Sequence, residues 1–494
     1  MAAAKKTGTM KKAGKGLKRS KIVKPKASGK ATAQKVAAWD DDPMSGALPV
    51  TRDLPDLSTA AMKVKITEAV PAPKVYAPGS REFRYWAAAD ALARGSQFWS
   101  SITGLNRWQP GDTLKVTLDA GAELNAYYDR VGLSFFHDTA GGKIVYSGES
   151  PDVVCHEMGH AVLDVLRPEL WDVMSGEVAA FHESFGDMSA ILIGLQLSGI
   201  RQQLTAGGSP FYQSSRLSRL AEQLGWALRQ RRPDSAPPDC LRNAVNSFFY
   251  RAPDTLRPSG PDSELTSEPH SFSRVFTGGF YEALSNMLET IGGINDANLL
   301  EASDAMAHLL ADAVQSASVV PEFYSQVAAH FLDADRRLYQ GKYNEALKSA
   351  FVRRGILSLQ SMVGEDVSPA ASSSRSPRGM VAPGPAATGL PMVKMSGNDF
   401  GMGAGAIVMY VPGETRKFAV SSAAPAMGAA PQPTDEQSAR SFAEYLFRRG
   451  RVDLKEQGNP KMRVAHPYAR KTHELIKRDG NVVLVRRNFD CGLD

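Results

Sequence analysis

The chain has 494 residues, of which 43% are hydrophobic and three are cysteines; it is too long for one compact domain and long enough to bury a large core. Its formal charge of +6 misleads, because twelve of the 58 basic residues fall in the first 35 positions, where there is no acid, and the remainder is net acidic. Three widely separated cysteines (Cys155, Cys240, Cys491) argue against a disulfide framework, and no stretch reads as a membrane span or as the apolar core of a secretory signal.

In chain order, residues 1–49 read as a basic, disordered tail. Such a tail suits an anionic partner, nucleic acid or membrane surface, or is simply a solvated extension. A cytoplasmic location, or export without a cleavable signal, is the expectation. Ala37–Ala72 reads as extended, Arg81–Ile102 as a helix, and Leu114–Leu118, Leu133–Phe136 and Lys143–Tyr146 as short strands. From Ser150 onward the pattern turns helical, with further helices at Ser271–Ile291, Asp296–Ala317, Pro321–Tyr339 and Lys342–Gly355. A β-rich lobe (about 50–165) and a helical lobe (about 166–358) with a cleft between them make an α+β arrangement. Residues 359–433, rich in Pro, Ser, Gly and Ala, read as a linker, in which Ala406–Tyr410 and Lys417–Val420 could pair as an isolated hairpin. Residues 434–494 form a small module or tail without an assigned role, holding a helix at Thr434–Arg449 and a hairpin strand at Val482–Arg487.

The chemistry is concentrated in Pro151–Asp164. Here His156, Glu157 and His160 stand in the order His-Glu-x-x-His, and residues four apart share one face of a helix. Both imidazoles can reach one zinc ion, with Glu157 directed at a water beside it. Ser150 suits the N-cap, Pro151 the first turn, and Arg167-Pro168 a stop. The flanking Val, Met, Ala and Leu residues make this a buried helix, whose polar residues need partners. One helix downstream, Glu183 and Asp187 are again four apart. Glu183 completes a three-ligand set, and Asp187 can accept the second ring N–H of a ligating histidine. Gly186, costly in mid-helix, points to close packing of the two helices.

In these residues the chain resembles the thermolysin-like zinc metallopeptidases, in which Glu-x-x-x-Asp follows His-Glu-x-x-His. Asn125-Ala-Tyr-Tyr-Asp129 looks like that family's substrate-binding edge strand, Leu241-Arg242 like its pocket segment, and His270 falls where its second catalytic histidine lies. The likeness spans residues 50–358 and ends in Asn344–Ile356, which looks like the closing helix of that fold. It implies a two-lobed zinc endopeptidase with one zinc on His156, His160 and Glu183. Glu157 would be the general base, and His270, with Arg242, would donate to the oxyanion. Asn125 and the Ala126 carbonyl would hold a polypeptide substrate as an added strand. Val153 and Leu241 would line a pocket for a bulky apolar residue after the cut.

Departures accompany the matches. The interval from His160 to Glu183 is a few residues longer than in the relatives, and near Trp171 no tyrosine stands where they keep one. His182 replaces their usual asparagine, and is read as structural. Gly194 stands at a calcium-ligand position, and Leu195–Gln213 lacks the acidic cluster that follows, so calcium is not expected. No counterpart of the family's propeptide is seen, which suggests control by another route. Asp490-Cys-Gly-Leu-Asp494 resembles the cysteine segment that covers zinc in latent matrix metallopeptidases, but only Cys-Gly and a nearby aspartate match, and an ordinary carboxyl-terminal segment is preferred over autoinhibition. The reading from a different class is a weak or inactive metallopeptidase fold used for binding, which the intact Glu157 disfavours.

Overall fold

The computed structural model describes residues 34–207, 211–359, 389–402, 405–422, 433–454 and 470–492. The basic stretch through residue 33 and much of 359–433 lie outside them. Strands β1 (Lys35–Ala38), β2 (Val50–Asp53) and β3 (Lys63–Ile66) precede helix α1 (Arg81–Thr103). Strands β4 (Thr113–Thr117), β5 (Ala126–Tyr128), β6 (Gly132–Phe135), β7 (His137–Ala140) and β8 (Lys143–Tyr146) follow. Helices α2 (Pro151–Leu166), α3 (Gly176–Gly194) and α4 (Ser198–Ala206) come next, then β9 (Arg219–Leu220), α5 (Glu222–Arg231) and β10 (Arg242–Asn243). Four long helices continue the chain: α6 (Pro269–Thr290), α7 (Asp296–Ser316), α8 (Phe323–Tyr339) and α9 (Asn344–Arg353). The last part holds β11 (Met392–Ser396), β12 (Ala406–Tyr410), α10 (Asp435–Arg448), β13 (Val452–Asp453), β14 (His473–Arg478), β15 (Asn481–Arg486) and β16 (Phe489–Asp490). The class is α+β, and the described helices include none long and apolar enough to cross a membrane.

Local chemistry explains the ends of these elements. Ser80 accepts from the Phe83 N–H at the start of α1, and Gly104, at φ +70°, ends it in the left-handed region. Ser175 caps α3 by accepting from the Val178 N–H, and Thr434 and Gln437 form a capping box on α10. Ser150 does hold the N-cap position of α2, with Pro151 next, but its hydroxyl donates to Asp42 Oδ2 at 2.6 Å instead of capping the helix. Asp42 belongs to the stretch expected to be tail. There β1 pairs antiparallel with β2, and the Trp39 indole donates to Glu149 at 3.1 Å. Residues 35–53 are thus a hairpin docked on the body through Val36, Ala38 and Trp39, which are buried, while β2 is alternately half-buried and exposed.

Two five-stranded sheets matter for the site. The first runs β16-β5-β6-β4-β3, so the strand nearest the chain's last described residues lies on its edge, antiparallel to β5. The second runs β11-β12-β15-β14-β13, with α10 packed on it. Two of its strands, β11 and β12, fall inside the segment read as linker. Ala406–Tyr410 pairs with Met392–Ser396 and, in parallel, with β15, not with Lys417–Val420. The latter is not a strand: the Phe418 carbonyl accepts from Gln326 Nε2 at 3.1 Å, and its ring packs on His330. Met409, Leu484, Phe442 and Ala443 share a core with Met174 and Ala179 of the helical body. A fully buried methionine or leucine there contributes roughly 1.5–3 kcal/mol. The turn between α2 and α3 carries the docking: the Met174 N–H donates to the Tyr410 carbonyl at 2.8 Å, and Trp171 and Arg486 exchange indole-to-carbonyl and guanidinium-to-carbonyl bonds of 3.3 and 3.1 Å.

Candidate metal centre

Helices α2 and α3 cross where both lack a side chain. A Cβ at Gly159 would lie 2.9 Å from the Gly186 Cα, and one at Gly186 would lie 2.6 Å from ring atoms of His156. Close approach of the backbones at Gly186 is what the sequence anticipates, and it sets the ligand-bearing faces against each other. The donor atoms of His156, His160 and Glu183 all lie within 4.8 Å of one another. His156 Nε2 is 3.3 Å and His160 Nε2 3.7 Å from Glu183 carboxylate oxygens, and the imidazoles meet edge to face at 4.8 Å. All three residues are buried.

These polar atoms face one another, with Glu183 Oε2 3.3 Å from both His156 Nε2 and His270 Nε2, but form few well-aligned hydrogen bonds. His156 Nε2, both nitrogens of His160, Glu183 Oε2 and both oxygens of Glu157 are buried without a hydrogen-bond partner. Each such orphan costs about 1–3 kcal/mol. Two imidazole nitrogens and a carboxylate oxygen converging without partners form the donor set zinc prefers, so the residues fit a zinc ion. Burial pushes the Glu157 carboxyl up to about 7, partly offset by His156. Burial, then the neighbouring cationic groups, hold His160 well below the ordinary histidine range, neutral and so able to ligate. Burial opposes a charge on His156, yet Cys491, Asp187 and Glu183 raise its pKa well above the ordinary histidine range.

Around this set the outer partners are in place. His156 Nδ1 is 2.9 Å from Asp187 Oδ1, the arrangement that fixes a ligating tautomer. Arg242 grips Asp187 through Nε and a terminal nitrogen, at 2.9 and 2.7 Å. It therefore orients the carboxylate behind His156, where the sequence suggested a contact with the oxyanion. His270 Nε2 lies 3.3 Å from Glu183, and its Nδ1 is 2.6 Å from Glu268. Burial opposes its charge, but Glu183 and Glu268 override this and lift its pKa to about 9. Leu241 lines a cavity of about 370 Å³ together with Arg242, His270 and Cys491. Val153 is buried in the main core. Asn125 is buried too, its side-chain oxygen accepting from the Ala126 N–H at 2.9 Å.

The Ala126 carbonyl is already engaged by the chain itself: it accepts from the Cys491 N–H at 2.9 Å. Strand β16 continues this pairing, Phe489 opposite Tyr128 and Asp490 opposite Tyr127. The Cys491 sulfur lies within 4.8 Å of donor atoms of both His156 and Glu157. The Phe489 ring stacks on His182 at 4.0 Å and on His160 at 4.9 Å, under the Arg486 guanidinium. His182 is thus a buried packing residue, as expected. Sequence reasoning missed Phe489, Arg486 and Glu268. The one available signal for the first two was the hairpin strand running into Asp-Cys-Gly. Cys155 joins neither ligand group around His156.

No family model matches the chain, and no curated protein is significantly similar to it.

Proposed function

We propose that the chain is a zinc-dependent endopeptidase with a thermolysin-like, two-lobed architecture. The observation that carries this reading is the convergence of unpartnered donor atoms from His156, His160 and Glu183 beside an equally unpartnered Glu157. Zinc held by those three residues would polarise a scissile carbonyl and ease deprotonation of the attacking water. Glu157, buried beside His156 without a hydrogen-bond partner of its own, takes the proton of that water and passes it to the leaving amine. His270 donates to the developing oxyanion from a position fixed by Glu268. The edge of β5 that β16 now covers would take a substrate backbone as an antiparallel strand once β16 is displaced, and the cavity beside Leu241 would take an apolar side chain.

Because Cys491 lies over the centre, hydrolysis is best measured in the Cys491→Ser background. Metal analysis and casein cleavage are compared for Cys491→Ser with and without Glu157→Gln. One zinc per chain in both proteins, with cleavage only where Glu157 is intact, is the expected result. Absence of zinc from both would overturn the site assignment. Zinc without cleavage in either would favour the binding reading.

A further inference from the structure

We infer that Cys491 is the fourth ligand of this centre, and that Phe489–Cys491 is a built-in substrate mimic that keeps the peptidase latent. The inference rests on the peptidase reading above and concerns its control. A lone cysteine near a histidine would carry little, but here the backbone supplies independent observations. Strand β16 is antiparallel to the edge strand proposed to hold substrate, and the Cys491 N–H occupies the Ala126 carbonyl. The Asp490 carbonyl lies 2.6 Å from His270 Nε2, so the proposed oxyanion donor is occupied by the carbonyl of the residue preceding Cys491. The sulfur then lies close to His156 and Glu157, so His156 is shared between the group that holds Cys491 and the group of His160 and Glu183.

The segment is also anchored beyond the metal. Phe489 fills the space over His160 and His182 and meets Trp171 edge-on. Asp490 is 3.7 Å from Arg451 and 3.9 Å from Arg470, and Arg470 bonds both Glu123 and the Leu124 carbonyl next to β5. The Arg470 guanidinium lies directly against Gly492, so a larger residue after the cysteine would have to displace that side chain. A catalytic zinc keeps one position open for water. A thiolate filling that position, having given up its proton on binding, excludes the water while the backbone around it imitates a bound peptide. The Asp490–Cys491 peptide bond is therefore presented but not cut. Activity requires β16 to leave β5.

The test is zinc K-edge absorption on the full chain, wild type beside Cys491→Ser, with peptide hydrolysis by both and by Phe489→Ala/Cys491→Ser. One sulfur at about 2.3 Å from zinc in the wild type, lost in Cys491→Ser, is expected. Hydrolysis should rise about tenfold or more in the double variant, since a tethered segment competes at roughly millimolar effective concentration. Zinc bound by nitrogen and oxygen alone in the wild type would overturn the inference and leave the peptidase reading standing. A sulfur ligand with no gain in hydrolysis would overturn the latency. Absence of zinc would sink the peptidase reading itself, and because the absorption measurement needs only the wild type, a variant that fails to fold leaves the ligand question decided.

Discussion

Helix α2 carries two buried polar clusters about one turn apart, and they solve the same electrostatic problem in opposite ways. At its first turn Asp152 meets Asp41 and Glu222, with donor oxygens within 4.8 Å of one another. Further along, His156 and His160 meet Glu183. The first cluster is all carboxylate, and the chain supplies cations and protons for it: Arg219 lies 3.2 Å from Glu222 and Arg216 3.7 Å from Asp41. Asp42 next to it accepts from Ser150, Met44 and Gln223. Burial raises the pKa values of Asp41, Asp42, Asp152 and Glu222, so protons are retained among them. At the histidine cluster the nearest guanidinium, Arg242, is committed to Asp187, and the converging nitrogens are left without partners. Each cluster keeps buried atoms without a hydrogen-bond partner, Asp41 Oδ2 and Glu222 Oε2 in the first and the histidine nitrogens in the second, but the arginines of the first pair directly with its own carboxylates.

This contrast can be broken or sharpened by experiment. The largest effect belongs to Glu157→Gln in the Cys491→Ser background, where hydrolysis should fall by roughly 10²–10⁴-fold with zinc content unchanged; steady-state rates with metal analysis check it. Asp187→Asn, which leaves His156 without its oriented acceptor, should weaken zinc affinity by roughly 10–100-fold, read by chelator competition. At the acidic cluster the variable is pH. A glutamate whose folded pKa is raised binds more protons in the native state, so its stabilising contribution is complete below the ordinary glutamate value and is lost as pH rises above it. Glu222→Gln should therefore flatten the decline in stability between about pH 5 and 8 by up to roughly 1.4 kcal/mol per pH unit, seen in urea midpoints. The smallest effect is calcium. Added to the zinc-loaded protein, it should change stability by less than about 0.5 kcal/mol, and a marked rise in Tm would show that the arginines and protons do not suffice and would erase the contrast.

What the sequence made legible followed helical periodicity. His156, His160, Glu183 and Asp187 repeat at four-residue spacing on two strongly apolar helices, so their convergence needed only that the helices pack, and Gly186 advertised where. The long helices α6 to α9 were recognisable for the same reason, and their ends fall within a few residues of the expected ones. What stayed hidden depends on partners far away in the chain. Strand β16 is two residues long and pairs with residues more than three hundred positions earlier, a relation no local pattern encodes. Composition likewise concealed β11 and the true partners of β12, because a stretch rich in glycine and proline can still contain five-residue strands when a neighbouring sheet offers an edge. The hydroxyl of Ser150 satisfied its capping pattern in position but not in bonding, since Asp42 competes for it.

The crossing at Gly159 and Gly186 has a consequence for how such a chain can evolve. Because direct contact between the two helices sets the ligand geometry, the connection between them is released from that duty and can lengthen or change composition. Here that freedom has been used: the turn's Trp171, Val173 and Met174 are the fastenings for a second sheet. The connector thus acts as an adaptor, through which a further part can be attached beside the histidine cluster without re-tuning the helix crossing itself.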